Sequence, residues 1–266
     1  MKIRGWLLDV EGVLVADKRF QAVPGAPDFI RRLRAAHCPL RLITNNTTDN
    51  RSTLVCKLAD AGFDFALHEL HTCIAAAVNR LRQIGARRCL VLGNAALSGM
   101  FAEAGLQVVD DANVEAVVVG LDMGVTYERL ALACQAVVRH DAALIALHRN
   151  RLFTDGTGRI VPSVGAIVAA IEYATRAEPT VIGKPSPAYF HQTLAELNTP
   201  PADVMVVSDD PLTDLVGAKK LGMRTAFVLS GKYDDPAILE AVEADLRPDI
   251  TTARICDLLA ADHVTV

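Results

Sequence analysis

Eight short runs rich in Val, Leu and Ile recur along the chain: GWLLDV, PLRLITNN, CLVLGN, EAVVVGLD, AALIALH, TVIGK, DVMVVSDD and MRTAFVLSG. Each has the length of a β-strand, and so apolar a make-up is expected of strands covered on both faces. Segments with helical spacing separate them. PGAPDFIRRLRAAH places Phe29, Ile30, Leu33 and Ala36 on one face, and Leu54, Val55 and Leu58 repeat the spacing after a turn at residues 48–50. TYERLALACQAVVRH, SVGAIVAAIEYATR and PAYFHQTLAELN continue it. Strands alternating with helices imply an α/β fold on a mostly parallel, doubly wound sheet of Rossmann-like type.

With 266 residues, 51% of them hydrophobic, the chain can bury a large core in one large domain or two moderate ones. The formal net charge is -4, and Lys and Arg are spread evenly, so nothing electrostatic argues for a nucleic-acid or membrane partner. A small-molecule partner is expected instead. The six cysteines, at 38, 56, 73, 89, 134 and 256, form no CxxC pair and read as buried free thiols suited to a reducing compartment. The N-terminal apolar run is short and broken by acids, and no run reaches the roughly 18 apolar residues of a membrane span. A soluble, cytoplasmic protein is the expectation.

The first run raises a chemical question, because WLLDVEGVLV looks built for burial yet carries Asp9 and Glu11. In a parallel α/β sheet, ligands bind beyond the carboxyl ends of the strands, so the residues at those ends are the informative ones. Four ends stand out: DVEG at 9–12, TNN at 44–46, GK at 183–184 and SDDPLTD at 208–214. If they converge, Asp9, Glu11, Asp209, Asp210 and Asp214 face the single lysine Lys184, an arrangement that requires a further cation. Oxygen-only ligands with no His or Cys at these ends favour magnesium over zinc. Magnesium and Lys184 would neutralise phosphoryl oxygens, the Thr44 hydroxyl and Asn45 amide would donate to them, and Asp9 could attack phosphorus. Gly12 would let the backbone turn tightly past the ligand. SDDPLTD could equally be a helix N-cap with acids in the first turn.

The acid-bearing ends lie early and late, while residues 72–178 have strands and helices of their own without such a cluster. The expected organisation is a core from residues 1–75 and 179–266 with an α/β cap domain inserted at 76–178. HRNRLFTDGTGRIVPS, residues 148–163, is the most irregular stretch of that insertion, and His148, Arg149 and Arg151 are candidates to contact an anionic substrate. Trp6 reads as core packing, and the other histidines show no metal-ligand spacing.

The order DxxGV, TNN, GKPSP, DDxxxD resembles the haloacid dehalogenase superfamily of phosphohydrolases, in particular subfamily IIA with its large α/β cap. The likeness extends through VPGAPDFIRRLR, AVVVGLD, GAIVAAIEYAT and LSGKY. IALHRNRLF and LSGKY are most similar to the phospholysine phosphohistidine inorganic pyrophosphate phosphatase group. The resemblance implies that Asp9 is the nucleophile and that Thr44, Asn45 and Lys184 hold phosphate. It implies magnesium on the Asp9 carboxylate, the Glu11 backbone carbonyl and the Asp209 carboxylate, with Asp210 and Asp214 acting through waters or by orienting other groups. It also implies a homodimer through the cap.

Two positions depart from the superfamily pattern. Its acid/base Asp is Glu11 here, and the Gly before the fourth motif is Ser208. A backbone carbonyl survives either side chain, so metal binding is expected to persist. Glu carries one methylene more than Asp, and a misplacement near 1 Å at a reacting centre costs on the order of a hundredfold in rate. Substrates with good leaving groups need the acid least, which favours pyrophosphate, acyl phosphates or phosphoramidates over alkyl esters. The rival expectation is a non-catalytic relative that binds magnesium and phosphate with turnover weakened or lost through Glu11.

Overall fold

The computed structural model describes residues 3–16, 20–155 and 157–259. Along the chain run β1 (Gly5–Asp9), α1 (Ala26–Ala35), β2 (Leu40–Thr44), α2 (Arg51–Asp60), β3 (Leu70–Thr72), α3 (Cys73–Gln83), β4 (Arg88–Leu92) and α4 (Ala95–Glu103). Then follow β5 (Gln107–Val108), β6 (Ala116–Val119), α5 (Tyr127–His140), β7 (Ala143–Ala146), β8 (Leu152–Thr154), β9 (Ile160–Pro162), α6 (Val164–Thr175) and β10 (Thr180–Val181). The chain ends with α7 (Pro187–Leu197), β11 (Val204–Ser208), α8 (Asp214–Lys220), β12 (Arg224–Val228) and β13 (Ile250–Thr252). The fold is α/β, and all eight apolar runs contain strands.

The chain divides into two compact units, one of residues 1–44, 51–71 and 184–266, the other of residues 45–50 and 72–183. The first is built on a six-stranded sheet in the order β13-β12-β11-β1-β2-β3, with parallel pairing from β13 through to β2. β1 lies between β11 and β2, so the strand order reverses there, and this is the switch point at which such sheets bind ligands. Every residue of β1 and of β11 is buried, which explains why both read as unbroken apolar runs.

Helix α1 packs Ala26, Phe29, Ile30 and Leu33 on this sheet, with Pro27 in its first turn and Arg32 and Arg34 in its last. Ala36, expected on the same face, lies beyond the helix at its C-cap and is exposed. Trp6 is fully buried and meets the Phe29 ring edge-on at 5.3 Å, a contact worth about 0.5–1.5 kcal/mol beyond area burial.

The second unit has a five-stranded parallel sheet, order β10-β7-β6-β4-β5, enclosing its own core from Leu90, Val117, Leu144, Val168 and Ile171. The stretch expected to be its most irregular part is instead largely an antiparallel hairpin of β8 and β9. Asp155 organises the tip, its Oδ1 accepting the backbone N–H groups of Thr157 and Arg159. Ile160 is 73% exposed, so the hairpin lacks the buried run that marks the other strands. The cysteines are free thiols, but only Cys73 and Cys89 are buried; Cys56 is exposed, and Cys38, Cys134 and Cys256 are half-buried. No helix among the described residues is long and apolar enough to cross a membrane.

Candidate active site

The carboxyl ends of β1 and β11 bring Asp9, Ser208 and Asp209 together in the first unit, with Lys184 ahead of α7 and Asp214 at the start of α8. All five are buried. Asp9 Oδ1 accepts the Val10 backbone N–H at 2.8 Å. Lys184 Nζ lies 2.7 Å from both Asp9 Oδ2 and Asp214 Oδ2, tying the first and fourth motifs to one ammonium group. The Ser208 hydroxyl is 3.0 Å from Asp214 Oδ2 and 3.3 Å from Asp9 Oδ2, and it accepts the Asp210 N–H at 3.1 Å. Its single proton goes to one carboxylate at a time.

The expectation of one lysine facing all the acids needs correction. Lys232, after β12, donates from its backbone N–H to Asp209 Oδ2 and from Nζ to Asp210 Oδ2, both at 2.6 Å. Asp210 Oδ1 in turn accepts the N–H groups of Leu212 and Thr213 at 3.1 Å, so this acid organises the turn ahead of α8, whose N-cap, Thr213, makes no side-chain capping bond. Lys232, Ser230 and Gly231 were missed as site residues. LSGKY carried only a family likeness, and nothing local in it points to acids more than twenty positions away.

Four buried carboxylates, Asp9, Asp209, Asp210 and Asp214, therefore face two ammonium groups, leaving two negative charges in surplus. Burial and the surplus of acid together raise the carboxyls at the centre of the cluster. Burial and the nearby Asp9 push Asp209 up to about 7, against the opposing pull of the Lys232 N–H and Lys184. Burial pushes Asp214 up to about 6; Lys184 opposes this, and Asp9 and Asp210 add to it. Burial alone would depress the Lys184 ammonium, but Asp214 and Asp9 outweigh it and hold the group above the ordinary lysine range. A divalent cation would cancel the surplus, and the donors present are hard oxygens of the kind magnesium takes. Among the described residues no group of three or more His, Cys, Asp or Glu side chains is placed to hold a metal. What the site offers is carboxylate oxygen in negative surplus, a donor chemistry that fits a hard divalent ion.

Gly12 has φ 79°, a left-handed conformation that disfavours other residues, and a Cβ there would overlap Asp209 Oδ2. Glu11 is half-buried and forms an isolated bridge with Val15. Thr44 is buried at the end of β2, where its N–H donates to the Tyr189 hydroxyl at 3.1 Å, and that hydroxyl donates to the His71 carbonyl at 2.7 Å. Tyr189 too escaped the sequence reading, since on a helix it looks like any core aromatic.

Asn45 falls in the second unit, where a Cβ on Gly183 would overlap its Oδ1. In the same unit His148 is buried with Nδ1 accepting the Asn150 N–H at 3.2 Å, Arg149 pairs with Glu172 at 2.8 Å, and Arg151 is exposed.

Two family models match the chain: haloacid dehalogenase-like hydrolase over residues 6–107 and HAD-hydrolase-like over residues 181–258. Haloacid dehalogenase-like hydrolase domain-containing protein 2 of Rattus norvegicus is 32% identical over 231 residues, 87% of this chain and 86% of that protein. Phospholysine phosphohistidine inorganic pyrophosphate phosphatase of Bos taurus is 30% identical over 235 residues, 87% of this chain and 84% of that protein. Among solved structures, the p-nitrophenyl phosphatase from Archaeoglobus fulgidus superposes with TM-score 0.88 at 26% identity, covering 98% of this chain and 99% of its own. A glycerol phosphate phosphatase from Mycobacterium tuberculosis in complex with magnesium superposes with TM-score 0.80 at 27% identity, covering 94% and 74%. The chain belongs to the haloacid dehalogenase-like hydrolases. Its neighbours place it with the subfamily IIA phosphatases, and it is a hydrolase.

Proposed function

We propose that this hydrolase is a magnesium-dependent phosphohydrolase that works through an aspartyl-phosphate intermediate on Asp9 and takes a small phosphorylated metabolite. The observation that carries the reading is the Asp9 carboxylate at a sheet switch point, 2.7 Å from Lys184 and surrounded by more acid than the two lysines balance.

In this reading Asp9 attacks phosphorus, the bond from phosphorus to the leaving-group oxygen or nitrogen breaks, and Glu11 gives the departing atom its proton. Water then attacks phosphorus of the acyl phosphate, Glu11 takes the water proton, and Asp9 is released with inorganic phosphate. Lys184 and the Thr44 hydroxyl, followed in sequence by Asn45, supply positive charge and donors to the phosphoryl oxygens. Magnesium, when held by the Asp9 and Asp209 carboxylates and the Glu11 carbonyl, supplies charge neutralisation for the transferring phosphoryl group. The magnesium-bound relative supports the choice of ion. The unit that includes residues 72–183 is proposed as the cap that contributes substrate contacts and a homodimer surface; the expected bounds of 76–178 would cut α3 and leave out β10, which pairs with β7 in that unit's sheet.

Because Glu11 replaces the superfamily's usual Asp, the preferred substrates are those with good leaving groups: pyrophosphate, acyl phosphates or phosphoramidates. The named activity of the bovine relative lies in that direction, while that of the mycobacterial one is an alkyl ester. Phosphate release from a panel of pyrophosphate, acetyl phosphate, a phosphoramidate, an aryl phosphate and sugar phosphates, with and without magnesium, tests the reading beside Asp9→Asn. Turnover that needs magnesium and disappears in the variant is expected. Turnover that persists in Asp9→Asn overturns it.

A further inference from the structure

We propose that the turn Ser230–Gly231–Lys232 is a positioning element for the acid cluster, and that Lys232 sets the Asp209 carboxylate for the divalent cation. The inference rests on the reading of Asp209 as a metal ligand. Lys232 grips two consecutive acids from its two ends: the backbone N–H holds Asp209 Oδ2 and the ammonium group holds Asp210 Oδ2. On the other side of the turn, the Ser230 hydroxyl donates to the Gly12 carbonyl at 2.7 Å. Gly231 between them packs so closely that a Cβ on it would overlap Asp209 Oδ2 and lie 2.5 Å from Gly12 Cα. The turn therefore spans the loop after β1 and the loop after β11, the two loops that supply the proposed ligands.

The physical consequence is orientation. A carboxylate at a strand end can rotate about two torsions, and a metal needs one oxygen presented in a fixed direction. With Oδ2 fixed by the N–H, the carboxylate is held in one orientation in which Oδ1 would be the oxygen with the more free acceptor sites for an ion, and groups that orient a ligand in this way are typically worth 10–100-fold in metal affinity. The backbone N–H works only while the turn stays in place, and the Lys232–Asp210 ion pair, partly buried, together with the Ser230 contact anchors it. The Lys232 ammonium also lies over the Tyr233 ring, 5.2 Å from its centroid, a further favourable contact for the charge.

The test is calorimetric titration of metal-stripped protein with magnesium chloride, for wild type, Lys232→Met, Lys232→Arg, Ser230→Ala and Asp209→Asn, beside thermal melts in chelator. We expect Lys232→Met to weaken magnesium binding about tenfold, in addition to a lower melting temperature in chelator from the Asp210 carboxylate it leaves unpaired. Lys232→Arg should recover most of the affinity, and Ser230→Ala should weaken it in the same direction. Wild-type affinity in Lys232→Met, with binding abolished in Asp209→Asn, overturns the positioning role and leaves the metal reading standing. Undiminished binding in Asp209→Asn overturns the metal reading itself. A lower melting temperature in chelator with unchanged affinity would make the turn merely structural and also overturn the proposal. Should Lys232→Met fail to fold, Ser230→Ala decides, and wild-type affinity there counts against it.

Discussion

Asp9 and Lys184, separated by most of the chain in sequence, meet at 2.7 Å through Asp9 Oδ2 with both side chains nearly excluded from solvent. Lys184 reaches Asp214 Oδ2 at the same distance. Replacing it with methionine leaves two buried carboxylates without their cation. Losing one partner of a buried pair costs about 3–5 kcal/mol. Lys184→Met should therefore unfold at markedly lower urea concentration at pH 7. The deficit should shrink towards pH 5, as Asp214, already near 6, takes up a proton. A deficit independent of pH would show that the ion pair is not its origin.

The length of Glu11 provides a chemical prediction. Glu11→Asp shortens the side chain by one methylene and restores the superfamily's usual residue. Alkyl-ester hydrolysis should rise relative to pyrophosphate hydrolysis, because the poorer leaving group gains more from a well-placed acid. Comparing kcat/KM for the two substrates checks this, and an unchanged ratio would sink the leaving-group argument.

Tyr189→Phe removes one oxygen. That oxygen accepts the Thr44 N–H at 3.1 Å and donates to the His71 carbonyl at 2.7 Å, holding together the ends of β2 and β3. Deleting a buried hydroxyl between two backbone groups costs about 1–3 kcal/mol. Urea unfolding should register that loss, and KM for phosphorylated substrates should rise because Thr44 sits where phosphate is proposed to bind. Unchanged stability would mean that Thr44 and His71 find other partners when the hydroxyl goes.

His71 gives the fold a pH dependence. Burial depresses its imidazole below the ordinary value of 6.5, outweighing Glu196, whose Oε1 lies 3.3 Å from Nδ1. The folded state thus binds this proton less readily than the unfolded state, so stability is present above pH 6.5 and declines as the pH falls below it. Asp209 and Asp214, raised to about 7 and about 6, take up protons in the folded state over the same range and act in the opposite sense, so the histidine's share is read as a difference: between pH 7 and pH 5 His71→Gln should gain stability relative to wild type. Parallel stability curves for the two proteins by urea titration would show that His71 contributes nothing to the pH dependence.

The acid-bearing strand ends and the long central strands were legible for a simple reason. GWLLDV and DVMVVSDD are buried on both faces, so their composition is continuous and apolar until the residue that meets the ligand, where polarity changes abruptly. The short or exposed strands left no such mark. β5 has two residues, and in the β8–β9 hairpin Leu152 is 54% and Ile160 73% exposed, so their pairing comes from the turn at Asp155 rather than from burial. Ala36 was misplaced because helical spacing continues past the point where the backbone stops being helical.

What the sequence by itself determined is local or periodic: strand and helix order, the α/β class, the acids at strand ends, and the departures at Glu11 and Ser208. Periodicity and turn chemistry act over a few residues and can be read without knowing the fold. The tertiary structure alone decided which charges meet. Lys232 reaches Asp209 and Asp210 because β11 and β12 pair in parallel with Ser208 opposite Phe227, which brings the loops that follow them side by side. Tyr189 reaches Thr44 because α7 packs under the end of β2. Such contacts depend on register and packing between segments far apart in the chain, and no local pattern of residues encodes them.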